Sequence, residues 1–121
     1  MSQKKYEITE AAHPKYPWLH RIRAIRQVNE QVSPGMLGGY VQTEDNLSQE
    51  GTCWIYDQAV CCEEAAVADD GRMFDGAVAR GSALVGGDAR MFERAMAEGN
   101  SSFFSGELKE DALSLIHISE P

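Results

Sequence analysis

A six-residue period that runs without a slip through the middle of this chain constrains its fold more than any other feature. Small residues recur at Ala59, Ala65, Gly71, Ala77, Ala83, Ala89, Ala95 and Ser101. Two positions after each, an apolar series keeps step: Cys61, Val67, Met73, Ala79, Val85, Met91, Ala97 and Phe103, with Ile55 extending it backwards. Each hexad thus has an apolar residue at its first position and a small one at its fifth. A helix cannot use this pattern, because six residues do not return to the same face at about 3.6 residues per turn. A hairpin sheet does not fit either, since no turn signal recurs at the roughly 8–12-residue spacing such strands need. The pattern suits a triangular parallel coil. Each hexad makes one side, with its first residue in a narrow lumen. Its fifth stays small where backbones come close. Gly, Asp and Glu fill the outward corners, as in Glu63-Glu64, Asp69-Asp70, Asp75-Gly76 and Gly86-Gly87-Asp88.

Three hexads make one coil, so residues 18 apart should stack. Trp54-Ile55-Tyr56-Asp57, Arg72-Met73-Phe74-Asp75 and Arg90-Met91-Phe92-Glu93 are near-copies at that spacing. The agreement of the two periods is a stronger signal than any single hexad. Residues 55–102 hold eight hexads, or about 2.7 coils, with an expected coil separation of about 4.8 Å.

These residues resemble the hexapeptide-repeat superfamily. The resemblance implies an all-β, single-stranded, left-handed parallel β-helix with an N-terminal β cap; the hand comes from the resemblance alone. A second stretch, Gly38-Gly39-Tyr40-Val41, Glu44-Asp45-Asn46-Leu47-Ser48, Gly51 and Cys53-Trp54, resembles the lead-in segment of short bacterial and phage hexapeptide proteins. Many of those carry a transferase label or have no known role. With this stretch the resemblance runs from about residue 19 to 106.

The expected organisation is a cap over residues 1–50, repeat coils over 51–106, and an irregular tail over 107–121. In the cap, Leu19 to Arg26 alternates apolar and basic, as a strand with Ile22 and Ala24 on one face and Arg21 and Arg23 on the other. Pro34-Gly35 and Gly38-Gly39 read as turns. A solenoid needs such a cap, because its terminal coil otherwise leaves backbone unpaired. Past Phe103-Phe104 the period fades, and Gly106 to Asp111 is expected to continue neither spacing nor stacking. Leu113 to Pro121 resembles a translated sequencing-adapter read-through, which makes the chain non-native from about 113. The rival is a native capping strand with Leu113, Leu115 and Ile116.

Net charge is −8, from 19 acidic and 11 basic residues. That argues against a nucleic-acid partner, which needs clustered Lys and Arg. No apolar run approaches the ~18 residues of a membrane span, and no apolar stretch follows the N-terminal Lys4-Lys5 as a signal peptide would. Cys53, Cys61 and Cys62 make a poor disulfide framework, and no His lies near them for a zinc site. The expected location is the cytoplasm.

Many hexapeptide-repeat proteins are acyltransferases that use a coil-borne His as general base between subunits of a trimer. His suits that role because of its pKa. Here His13, His20 and His117 all lie outside the coils. Ser48, Ser82, Ser101 and Ser102 lack a neighbouring His in any nucleophile motif, and Gly86-Gly87 lacks the context of a phosphate loop. No catalytic residue, metal site or cofactor is therefore expected. Acyl-CoA enters only under an alternative, a truncated acyltransferase whose catalytic His and donor site lie beyond this chain.

The most distinctive expected surface comes from residues flanking each lumen position. Tyr56, Phe74 and Phe92 form an aromatic column. Trp54, Arg72 and Arg90 form a parallel one, and Asp57, Asp75 and Glu93 lie beside them. Aromatic and Arg enrichment is typical of interface cores. This face is the expected contact for a second copy, as in a trimer, or for another protein. The competing readings are self-stabilisation by stacking, with Arg paired to the carboxylate column, and a small-ligand platform. Arg80 and Glu98, 18 apart on another face, should form an exposed ion pair.

Overall fold

The structure, a computed structural model, describes residues 4–93, 95–100, 102–104, 106–108 and 115–116, without the side chains of 108, 115 and 116. It is an all-β parallel solenoid of about three turns. The cap is an antiparallel meander of β1 (Tyr6–Ala12), β2 (His20–Ala24) and β3 (Leu37–Val41). A 3-10 turn at Glu44–Asn46 leads into the coils.

The coils are two-residue strands: β4 (Trp54–Ile55), β5 (Val60–Cys61), β6 (Ala66–Val67), β7 (Arg72–Met73), β8 (Val78–Ala79), β9 (Leu84–Val85), β10 (Arg90–Met91), β11 (Met96–Ala97) and β12 (Ser102–Phe103). They stack into three sheets with parallel register, Trp54 on Arg72 on Arg90, Val60 on Val78 on Met96, and Ala66 on Leu84 on Ser102. The cap joins through β3, which pairs parallel to β5. Lumen residues Ile55 to Ala97 and the fifth-position residues Ala59 to Ala95 are buried. Ser101 lies outside the described residues.

Each corner turns through a residue with positive φ, including Asp57 (56°), Glu63 (60°), Asp69 (57°), Asp75 (59°) and Glu93 (60°). That region costs a non-glycine residue roughly 1–2 kcal/mol. The corner carboxylates offset this by accepting backbone N–H bonds from the coil above: Asp57 from Asp75, Asp75 from Glu93, Glu63 from Gly81 and Asp69 from Gly87. Short acidic side chains at these corners are thus a backbone-satisfying device as well as a solvated rim.

Three expectations are corrected. Gly38 and Gly39 are not a turn but lie inside β3. A Cβ on Gly38 would stand 2.6 Å from the Ile55 carbonyl oxygen, and one on Gly39 2.4 Å from that of Ala59. These glycines mark close approach of cap to coil. The residues flanking lumen positions do not all face outward: Trp54 is 0 % exposed and Arg72 7 %, because the cap folds over the first coil. Stacking also survives the loss of period. β13 (Glu107–Leu108) pairs parallel to β10, one residue short of the regular register, and β14 (Leu115–Ile116) pairs with β11, one residue long. Apart from the backbone of that last pair, the tail from 113, with His117, lies outside the described residues.

Candidate functional site

The aromatic column forms as expected. The rings of Tyr56 and Phe74 stack with centroids 4.5 Å apart and planes 16° apart, and those of Phe74 and Phe92 at 5.0 Å and 7°. All three are half-buried. The cap covers the first rung, where Asn29 donates to the Tyr56 hydroxyl and that hydroxyl donates to Gln31. Burial raises the Tyr56 phenol pKa. Phe74 and Phe92 carry the column away from the cap.

The neighbouring columns differ from expectation. Arg72 and Arg90 do not pair with Asp57, Asp75 and Glu93; the carboxylates of Asp57 and Asp75 serve the corners instead. Both pair with Asp70, at 3.0 and 3.1 Å, and Arg72 reaches Glu30 of the cap at 3.2 Å. Trp54 contributes nothing to an exposed face. The Arg80–Glu98 pair is present at 2.7 Å.

Partial burial of Asp70 pushes its pKa up, but bonds from Thr52, Arg72 and Arg90 outweigh that and hold it below the ordinary value. A depressed folded-state pKa contributes stability that is present above the unfolded value, about 3.9 for Asp, and is lost as pH falls through the folded one. In urea unfolding, Asp70→Asn is expected to lower stability at pH 7 and to flatten its decline below about pH 4. An unchanged acid limb would show that Asp70 is not a source of the acid sensitivity.

Three buried polar side chains gave no signal in the sequence. Lys5 is 0 % exposed. Its Nζ lies 3.0 Å from the Cys53 carbonyl oxygen, 3.2 Å from Cys53 Sγ and 3.3 Å from the Glu50 carbonyl oxygen. Desolvation lowers its pKa against the opposing pull of Cys53, and desolvation raises that of Cys53. Tyr6 donates to the Leu47 carbonyl at 2.6 Å. Asn46 accepts from the N–H groups of Gln42 and Thr43 and donates to the carbonyls of Glu63 and Ala65. Nothing in composition marks Lys5 as buried, since lysine is almost always exposed.

Tertiary packing also forms a lateral cavity of about 240 Å³, with Val60, Val78 and Met96 beneath, Tyr16 and Trp18 overhanging, and Cys62, Glu63 and Arg80 at the rim. Arg80, the cation among these lining residues, is bound to Glu98, and the Glu63 carboxylate accepts from the Gly81 N–H, so both charged side chains already have partners. His13 lies near it, but its Nδ1 accepts from the N–H groups of Lys15 and Tyr16, and its ring packs on Tyr40. That is a loop-fixing role. His20 opens β2 and is half-buried. Among the described residues no group of three or more His, Cys, Asp or Glu could hold a metal ion, and no helix is long and apolar enough to cross a membrane.

No family model matches the chain. Over 72 residues, 59 % of its length, it is 35 % identical to the uncharacterized acetyltransferase YdcK of Escherichia coli (strain K12). The match covers 22 % of that protein, so the chain spans about a fifth of the length of the curated relative it matches. Hexad period, parallel coils and this relative together fit the hexapeptide-repeat, transferase-like superfamily.

Proposed function

We propose that this chain is a scaffold and interaction module of an acyltransferase-type protein, docking a second copy or another protein through the aromatic column. The observation that carries the reading is the in-register stack of Tyr56, Phe74 and Phe92, half-buried and rigidly spaced by the coils. Preorganised aromatic side chains bind with little ordering cost. Arg90 extends beside the stack, tethered to Asp70 through its side chain. The transferase-type assignment is supported by the relative's name and by the coil architecture. Under the alternative, a truncated acyltransferase, acyl-CoA would be the donor, and both the catalytic His and the donor site would lie outside these 121 residues.

Two measurements test the reading. Light scattering on the wild-type chain should give a mass above the monomer, and Phe74→Ser with Phe92→Ser should return it to monomer while circular dichroism stays unchanged. An unchanged mass in the double variant would sink the aromatic contact. Titration calorimetry with acetyl-CoA should give no heat of binding. Micromolar binding would place a donor site on this chain and overturn both readings, since the truncated acyltransferase also has its donor site elsewhere.

A further inference from the structure

We propose that Lys5 and Cys53 are a redox modification site, joined by a reversible sulfur–nitrogen bond when the protein meets hydrogen peroxide. The two side chains come from segments 48 residues apart, with Nζ 3.2 Å from Sγ. Both residues are fully buried, and no carboxylate is among the hydrogen-bond acceptors of the amine, which are two carbonyl oxygens and the sulfur. Burial without a carboxylate partner shifts the amine toward its neutral, nucleophilic form. Desolvation acts on Lys5 in that direction, partly opposed by Cys53.

A surface cavity of about 290 Å³ is lined by Ser48, Glu50, Gly51, Ala68 and Asp69. Cys53 Sγ lies behind it, 3.7 Å from the Glu50 carbonyl oxygen and 3.8 Å from that of Ser48. The neighbouring turn, Glu50 to Thr52, is exposed. Peroxide is small enough to pass when that turn opens. Cys61 differs, being sealed in the lumen. Cys62 is half-exposed.

The chemistry balances in two steps. The Cys53 sulfur attacks one oxygen of hydrogen peroxide; the S–O bond forms, the O–O bond breaks, and the departing hydroxide leaves as water with the thiol proton. Two electrons pass from sulfur to peroxide, giving a sulfenic acid. The Lys5 lone pair then attacks sulfur; the S–N bond forms, the S–O bond breaks, and hydroxide leaves as a second water with an amine proton. Thiol, amine and one peroxide yield a sulfenamide and two waters. The bond would tie the residue before β1 to the residue before β4 and so lock the cap onto the first coil. This inference is independent of the aromatic column and of any acyl transfer.

The test uses the full 121-residue chain, fully reduced and then treated with stoichiometric hydrogen peroxide. Intact mass should fall by about 2 Da, the loss of two hydrogens in an S–N bond. A disulfide has the same deficit, so a non-reducing peptide map distinguishes them. The peptides carrying Lys5 and Cys53 should be joined, with Cys61 and Cys62 still alkylatable, and dithiothreitol should separate them. Lys5→Met and Lys5→Arg should each abolish the joined species. Should both variants fail to fold, the wild-type map alone decides between the S–N bond and its rivals. Cys53 joined to another cysteine, Cys53 as sulfinic acid beside unmodified Lys5, or Cys53 still a thiol after Cys62 is oxidised would each overturn the proposal.

Discussion

Replacing Trp54 by alanine is expected to cost about 3–5 kcal/mol of folding stability, the range for truncating a buried large aromatic. That is a large fraction of what a typical domain has, roughly 5–15 kcal/mol. Trp54 is 0 % exposed and meets Tyr6 edge to face, at 6.3 Å and 82°. Its ring also fills the space that a side chain at position 38 would occupy, since a Cβ there would lie 2.9 Å from it. Removing the indole opens a void at the junction of cap and solenoid, where β1, β3 and the first coil cannot collapse independently. The indole N–H finds no hydrogen-bond acceptor among the described residues. Trp54→Phe therefore removes an unpaired buried donor along with some volume, and should cost under about 1.5 kcal/mol. Urea unfolding of the two variants checks both values. A Trp54→Ala loss below about 1 kcal/mol would mean that the cap is not packed on the coil as described.

Asn46→Ala should cost about 2–4 kcal/mol for a different reason, because burying a polar group without a partner costs about 1–3 kcal/mol each time. The side chain of Asn46 is fully buried and closes four backbone groups at once, two N–H and two C=O. Removing it orphans all four, with rearrangement and water recovering part of the loss. Asn46→Asp divides the effect. The carboxylate still accepts from Gln42 and Thr43 but faces the carbonyls of Glu63 and Ala65 with no donor. Its charged form is disfavoured, so its folded-state pKa should rise above the unfolded ~3.9. For a raised carboxyl pKa the folded state binds the extra proton. Stability should therefore be poor at pH 7 and recover as pH is lowered toward about 4. Flat stability for Asn46→Asp across that range would show that the two donated bonds contribute nothing.

The parallel coil was legible because its cause is local and repeated. Ile55, Cys61 and Val67 interleave with small Ala59, Ala65 and Gly71 at a spacing that a helix cannot keep on one face, and no turn signals break the run into hairpins. The aromatic column followed from the 18-residue copies by the same logic. The cap was less legible. Gly38-Gly39 looks like a turn in isolation, because the sequence does not show that Ile55 and Ala59 come within contact of it. The pairing of β13 was missed because hydrogen bonds between backbones need no side-chain period, whereas β14 falls where the rival capping strand set Leu115 and Ile116.

The coil, its lumen, its corners and its stacking register are written in the primary structure, since each depends on spacing along one chain and on side-chain size. Which coil positions stay exposed was settled by packing in three dimensions. The cap, meeting the first coil across long stretches of intervening chain, buries Trp54, draws Arg72 to Glu30, and brings Lys5 against Cys53. Contacts between segments so far apart have no period to announce them. They arise from which surfaces must close over unpaired backbone at the solenoid's end.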